Sequence, residues 1–175
     1  MNLLLRLIWM FLTARFGAAR DSMGENRMTF RCLPTDLDVN MHMTNSRYHS
    51  FTDLVRIDLV IRSGAWKRLR AEKLYPVLAS ATMRFRRSIA PFQKFIVTAR
   101  VVSWDEKWIY IEHRFLTGPA AQDVAAISVV KTTFLSPQGR IPIERLIAIM
   151  GYTGAKPDFV PALQKLNELE TQLSA

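Results

Sequence analysis

The chain has little of what several protein classes require. It contains a single cysteine, Cys32, so no internal disulfide can form and a reducing compartment is the natural expectation. With only three histidines beside that cysteine, no Cys and His group stands at zinc spacing. We therefore expect neither a metal nor any other cofactor. No internal repeat or low-complexity segment is present, which disfavours a solenoid.

Acidic residues are few relative to basic ones. Lys and Arg number 24 against 15 Asp and Glu, which gives a net charge of +9. Such a balance favours an anionic partner: a phosphorylated ligand, an acidic protein, a lipid surface or a nucleic acid. No recognised nucleic-acid-binding motif accompanies the charge, so we expect no nucleic acid. The 175 residues, 49% of them apolar, suit one domain with its own core.

The N-terminal residues 3–16 form an apolar run that is too short to cross a bilayer, which takes about 20 residues. Arg6 splits the run, which disfavours a cleaved signal peptide. Two interpretations remain: a helix docked on the domain or on a second subunit, and an interfacial helix at an anionic membrane surface. In the second, the headgroup-facing side chains are Trp9, Phe11 and Phe16, and the lipid-facing cations are Arg6, Arg15 and Arg20.

Periodicity predicts one short strand, one long helix and then a run of strands. The long helix covers about residues 46–63, with Thr44 or Asn45 as its cap and Gly64 as its stop. The predicted strands are 28–33, 77–87, 92–104, 108–117 and 124–135, and the shorter helices are 66–73, 145–151 and 162–173. Cys32 falls in the first strand, where a buried structural role is expected.

Four consecutive strands with short connections predict an antiparallel meander, and a buried helix is best covered by wrapping that sheet around it. The fold class is therefore α+β. One such layer leaves a sheet edge uncovered, so we expect at least a homodimer, with a tetramer as the alternative.

One loop before the long helix combines an acid, an amide and a base. Asp38, Asn40 and His42 stand two residues apart, and in an extended or turn-like segment they would project toward one side. Each also has a structural interpretation: Asp38 caps a turn, Asn40 adopts a left-handed conformation, and His42 satisfies backbone groups. Their joint spacing favours a site.

A family resemblance covers this loop. Residues 36–48, DLDVNMHMTNSRY, resemble the signature of the acyl-carrier and acyl-CoA thioesterases of the hotdog fold. Residues 78–88, 90–92, 103–106 and 110–115 are similar to the branch called thioesterase superfamily member 6, whose members start with a membrane-directed helix. The likeness runs from about Arg27 to Leu135. It implies a long central helix wrapped by the sheet, and a thioester carbonyl held at the helix N-terminus between two subunits.

The resemblance also implies roles for individual residues. Asp38 corresponds to the family carboxylate, as base or nucleophile; Asn40 to the polarising amide; and His42 to the histidine of the plant acyl-carrier thioesterases. Asn45 and Tyr48 match positions that shape the loop and the helix start, although Tyr48 also suits the core. His49 and His113 have no counterpart and receive no catalytic role.

The sequence departs from the family after the helix. Ser88 stands where the plant enzymes have a glutamate, so either Asp38 acts with water or activity is weak or absent. Arg84 and Arg86 are predicted on one strand face, with Arg87 on the other. That pair is expected to contact CoA phosphates or, alternatively, to form a solvated face.

The sequence thus predicts a fatty acyl-CoA or acyl-carrier-protein thioesterase, with a non-catalytic acyl-CoA or lipid-binding module as the alternative. The predicted segments are an apolar basic helix and linker at 1–26, a hotdog domain at 27–140 and a helical extension at 141–175. The expected location is cytoplasmic, with peripheral attachment to a membrane through the N-terminal helix.

Overall fold

The computed structural model describes residues 2–173; the side chains of Leu3, Arg15 and Leu173, which belong to the predicted terminal helices, lie outside that description. The helices are α1 (Asn2–Phe16), α2 (Asn45–Arg62), α3 (Ala65–Ala71), α4 (Ile143–Met150) and α5 (Pro161–Leu173). The strands are β1 (Asn26–Arg31), β2 (Tyr75–Phe85), β3 (Lys94–Trp104), β4 (Ile109–Thr117), β5 (Asp123–Ser136) and β6 (Gly139–Arg140). Every long element predicted from periodicity is present.

The strands form one antiparallel sheet in the order β1-β3-β4-β5-β2, with β6 beside β5. The predicted meander holds for β3, β4 and β5, but its extension to β2 is wrong. β1 occupies the outer edge of β3, where Phe30 lies opposite Phe95, and β4 occupies the other edge. Because a strand has only two edges, β2 pairs with β5 instead, and Arg84 lies opposite Ile127.

Helix α2 packs across the sheet on β1 and β3, as expected for a sheet wrapped around a helix. The contact is aromatic: the ring of Phe51 lies 5.0 Å from that of Phe95, and the ring of Tyr48 lies 4.7 Å from that of Phe115. Such ring pairs contribute about 0.5–1.5 kcal/mol each beyond the area they bury. They fix the rotation of α2, and therefore where its N-terminus points.

Helix α1 is docked on α2, in agreement with the first interpretation of the N-terminal run. Met10 and Ala14 on its inner face are buried. At its C-terminal end, Arg62 of α2 donates a 3.5 Å hydrogen bond to the carbonyl of Thr13 and pairs with the buried Asp58 at 2.9 Å. Within residues 2–173, no helix has the length and apolarity needed to cross a membrane.

Cys32 is fully buried, as predicted for a structural residue. Burial, reinforced by the nearby Asp36 carboxylate, raises the pKa of its thiol and so disfavours the thiolate. The side chain therefore acts as a small apolar residue.

His113 lies on β4 under α2 and is 0% exposed. In the described part of the chain, neither of its ring nitrogens has a hydrogen-bond partner. Burial lowers its pKa well below the ordinary value, and the positive charge of Arg56 and the proximity of His49 lower it further. The folded protein therefore holds this imidazole neutral, at a cost in stability.

We predict that His113→Leu raises the free energy of unfolding, and more at about pH 5 than at about pH 8. Below an ordinary histidine pKa of about 6.5, the unfolded chain binds a proton that the folded imidazole does not. Wild-type stability therefore falls by up to about 1.4 kcal/mol per pH unit as the pH drops toward the folded-state pKa. Urea unfolding of both proteins measures the difference, and His42→Leu, at an exposed site, is the control. An equal gain at both pH values would contradict a buried neutral His113.

Candidate active site

The loop between β1 and α2 is a tight turn. Leu37 and Met43 form a single antiparallel bridge. The Asp38 N–H donates to the carbonyl of His42 at 2.8 Å, and the Met41 N–H donates to the carbonyl of Asp38 at 3.1 Å. Met41 has a φ of 59°, in the left-handed region. The segment was predicted to be extended or turn-like, and the structure shows a turn.

Asp38 closes this turn with one of its two carboxylate oxygens. Oδ1 accepts from the N–H of Asn40 at 2.9 Å and from the N–H of His42 at 3.2 Å. This is the turn-capping role expected of a loop aspartate. Among residues 2–173, no group donates to Oδ2, and the side chain is half-buried. The loop thus holds one oxygen, whereas the other has no hydrogen-bond donor among the described residues.

Asn40 and His42 lie on the same loop with exposed side chains. Across the described residues, Asp38 is bonded to the backbone N–H groups of these two residues, and no hydrogen bond joins it to either of their side chains. The left-handed conformation proposed for Asn40 is instead adopted by Met41. The loop therefore brings the three predicted groups to one turn without linking them into a network.

The turn leads directly into α2. Thr44, one of the two predicted caps, is the N-cap residue, but its side chain makes no capping hydrogen bond. The first N–H groups of a helix have no partner within the helix, and the helix dipole makes that end partly positive. Asn45, the first helical residue, is exposed at this end. The start of α2 therefore offers donors to an anionic oxygen.

Asp36 is a structural residue of the loop that sequence reasoning missed. Its carboxylate is 1% exposed and is held by Arg6 of α1 through two hydrogen bonds of 3.2 and 2.7 Å. Arg6 was expected to face anionic lipid; that prediction is wrong, because its guanidinium turns inward to Asp36. The available signal was a lone arginine inside an apolar helical run, since such a charge needs a buried partner.

Tyr48 belongs to the core. It is 2% exposed, and its ring packs between those of Phe85 and Phe115. Burial, with a smaller contribution from Cys32, raises its pKa to about 12. Its hydroxyl therefore stays protonated, and the residue supports the helix start from beneath.

Ser88 lies beside the loop, because the N–H of Met43 donates to the carbonyl of Ile89 at 2.9 Å. Its exposed side chain supplies a hydroxyl where the related plant enzymes have a carboxylate. Arg84 lies in β2, but Arg86 follows the end of that strand at Phe85. The predicted strand face shared by the two arginines therefore does not include Arg86. Both arginines are nevertheless exposed near this end of β2.

An apolar cavity of about 350 Å³ lies between α2 and the inner face of the sheet. It begins at Asp53, roughly 12 Å along the helix from Asn45 at 1.5 Å per residue. Its lining residues are Asp53, Arg56, Ile57, Leu59, Val60, Trp66, Pro76, Leu78, Val101, Ile109, Ile111, Thr132, Phe134 and Met150. A separate polar depression lies at Lys131 and Asn167 and includes no loop residue. Among residues 2–173, no cluster of three or more His, Cys, Asp or Glu could hold a metal.

Comparison with known proteins places these features in a family. Residues 32–166 match the model of the thioesterase-like superfamily. Protein THEM6 of Danio rerio is 38% identical over 114 residues, which cover 65% of this chain and 56% of that protein. The probable thioesterase YBR096W of Saccharomyces cerevisiae is 37% identical over 84 residues, covering 47% and 36%. The chain thus spans about half the length, or less, of these relatives.

The solved structure of the probable thioesterase YbaW from Escherichia coli has the same fold. It superposes with a TM-score of 0.67 at 19% identity and covers 71% of this chain and 96% of its own. Two of these proteins, YBR096W and YbaW, are named as probable thioesterases. The α+β architecture and the match over most of the length lead to one conclusion: the chain belongs to the thioesterase-like superfamily of hotdog-fold proteins.

Proposed function

We propose that the protein hydrolyses a fatty acyl thioester carried by CoA or by an acyl-carrier protein. The main support is the placement of Asp38. Two loop N–H groups hold one oxygen of its carboxylate, the other has no donor among the described residues, and the loop leads into α2. A base and a set of oxyanion donors therefore lie at one end of one helix, as thioester hydrolysis needs.

In the proposed reaction, Asp38 takes a proton from water while the water oxygen attacks the thioester carbonyl carbon. The resulting oxyanion is stabilised by the first N–H groups of α2 and by the amide of Asn40. Collapse of the tetrahedral intermediate breaks the C–S bond, and the thiolate receives a proton with the help of His42. If Asp38 is instead the nucleophile, its carboxylate oxygen bonds to the carbonyl carbon, the C–S bond breaks and the thiolate leaves and is protonated; water then hydrolyses the mixed anhydride to the fatty acid and free Asp38.

Features on either side of this centre suit an acyl-CoA substrate. The cavity under α2 is lined mainly by aliphatic and aromatic side chains, which suits an acyl chain. Arg84 and Arg86 are exposed near the loop, where guanidinium groups would bind CoA phosphates.

The alternative is a module that binds acyl-CoA without cleaving it. Ser88 favours this alternative, because it lies beside the loop and supplies no second carboxylate. A module of this kind would be stabilised by acyl-CoA against thermal unfolding while releasing no thiol.

We predict that the wild-type protein releases free thiol from at least one member of a panel of acyl-CoAs of different chain length. Asp38→Asn should lower kcat by about 100-fold or more, since it removes the base but keeps an oxygen for the loop N–H groups. His42→Ala should have a smaller effect, because water can replace its proton. A thiol-reactive dye follows the reaction.

Asp158→Asn, at an exposed aspartate outside the loop, is the matched control and should retain wild-type kcat. Full turnover by the Asp38→Asn, His42→Ala double variant would contradict the assigned roles. Thermal stabilisation by acyl-CoA without release of thiol by the wild type would favour the binding module.

The homodimer is proposed on the basis of strand β2. Its free edge is 11 residues long, and its exposed side chains include Tyr75, Leu78 and Phe85. A long apolar sheet edge pairs readily with another strand. We propose that two copies join along β2 and leave the two Asp38 loops facing a shared groove; a tetramer would be a pair of such dimers.

We predict that the wild type is a dimer and that Ala81→Lys shifts it to monomer. Ala81 lies near the middle of β2, so antiparallel pairing of two copies would bring the introduced charges close together. Ala81→Met adds similar bulk without charge and should stay dimeric. Light scattering coupled to size exclusion measures the mass. A monomeric wild type at every concentration would contradict pairing along β2.

Peripheral membrane attachment is proposed for the outer face of α1. Leu5, Trp9, Leu12 and Phe16 follow helical spacing on that face, and Trp9 and Phe16 are 69% and 83% exposed. With a net charge of +9, such a face suits an anionic lipid surface. We place the protein in the cytoplasm on such a surface, where the free thiol of Cys32 remains reduced.

We predict that the full chain floats with phosphatidylserine-containing vesicles and that Trp9→Gln combined with Phe16→Gln abolishes flotation. Each aromatic side chain contributes about 1.5–3 kcal/mol when buried in an apolar phase. Val160→Gln, which changes an exposed apolar residue outside α1, is the control. A wild type that stays in the unbound fraction would contradict the membrane proposal. Contact of this face with α1 of a second copy would then be the explanation to test.

A further inference from the structure

Helix α1 reaches the active-site loop through one side chain. The two terminal nitrogens of Arg6 donate to the two carboxylate oxygens of Asp36, at 3.2 Å to Oδ1 and 2.7 Å to Oδ2. Nη2 also donates to the carbonyl of Arg31 at 3.1 Å, and the guanidinium lies 4.7 Å from the ring centroid of Phe51. This two-point geometry is specific to arginine, because only its planar fork matches a carboxylate in this way.

Asp36 in turn joins the two ends of the loop. Its Oδ2 accepts from the N–H of Leu33 at 2.9 Å, before the turn. Its backbone carbonyl accepts from the N–H of Thr44 at 2.9 Å, at the cap of α2. Asp38 lies between these two attachment points, so the position of its carboxylate depends on both.

The neighbouring Arg47 does not reproduce the two-point contact of Arg6. Arg47 lies 3.7 Å from Oδ1 and is more exposed than Arg6. Asp36 is almost fully enclosed, and a buried carboxylate that loses its main partner is strongly destabilised. Without Arg6, the carboxylate would have to move toward water and would release the loop.

The supporting arginine also lies outside the family domain. The family match begins at residue 32, whereas α1 spans Asn2–Phe16. The geometry of the signature loop in this chain thus depends on a segment that precedes the shared domain. Sequence distance conceals the connection, since 30 residues separate Arg6 from Asp36.

We propose that Arg6 is a positioning residue for thioester hydrolysis: the docked helix α1 holds the loop, through Asp36, in the geometry in which Asp38 acts. The inference rests on the proposed function. In this role Arg6 acts on Asp38 through Asp36 and not by contact with the reacting atoms.

The test compares Arg6→Met, Arg6→Lys and Arg6→Met combined with Asp36→Asn in the full chain. Arg6→Met should lower kcat for acyl-CoA hydrolysis by about tenfold or more, since small displacements of reacting groups are costly, while KM stays within about threefold. Arg6→Lys keeps the charge without the fork and should recover part of kcat. Hydrogen exchange of residues 33–44 should become faster in Arg6→Met.

The double variant separates positioning from stability. It removes the buried charge whose two-point partner has been lost, so its melting temperature should return toward the wild-type value while kcat stays low. Arg145→Met is the matched control, because Arg145 forms an exposed 2.7 Å pair with Glu72 away from the loop. It should change neither kcat nor loop exchange.

Wild-type kcat together with wild-type loop exchange in Arg6→Met would overturn the inference and leave the proposed function intact. Full activity of the double variant would also overturn the inference, because neutralising Asp36 would then be enough to keep the loop active without Arg6. If the wild type hydrolyses no acyl thioester, the proposed function fails, and unchanged exchange in Arg6→Met would separately overturn the role of Arg6.

Discussion

The packing of α2 into the sheet is the contact on which the rest of the structure depends. Phe51 packs against Phe95 and Tyr48 packs against Phe115, which fixes both the rotation and the depth of the helix. With α2 fixed, its N-terminus points at the turn that follows β1, and the same helix carries one wall of the apolar cavity. The candidate centre therefore arises from packing: a buried helix presents its unpaired N–H groups where the loop presents a carboxylate.

Asp38 combines structure and chemistry through its two oxygens. Oδ1 accepts hydrogen bonds from two loop N–H groups and keeps the turn closed, whereas Oδ2 has no donor among the described residues. The capping and catalytic interpretations of this residue are thus compatible. In the proposed reaction a single acidic side chain acts beside Ser88, because a carboxylate already oriented by the backbone needs no second acid to position it.

Features that depend on interactions between residues close in sequence can be predicted from the sequence, whereas features that depend on contacts between distant segments cannot. The helices, the strands and the position of the motif depend on local periodicity and capping, and the structure confirms them. The pairing of β2 with β5 is not local, because it depends on β1 having taken the edge of β3. The pair between Arg6 and Asp36 joins distant segments, and the left-handed residue in the turn is Met41 rather than the expected Asn40. In the candidate site, therefore, the residues are predictable, but the supports that orient them are not.

The central claim is that a thioester carbonyl binds between Asp38 and the start of α2. The most direct measurement is a crystal structure of the full chain with a ketone analogue of acyl-CoA, in which a methylene group replaces the thioester sulfur. The account predicts the carbonyl oxygen at about 2.7–3.1 Å from a first-turn N–H of α2, with the acyl chain in the cavity under the helix. A carbonyl bound away from the start of α2, with Asp38 facing solvent alone, would contradict it.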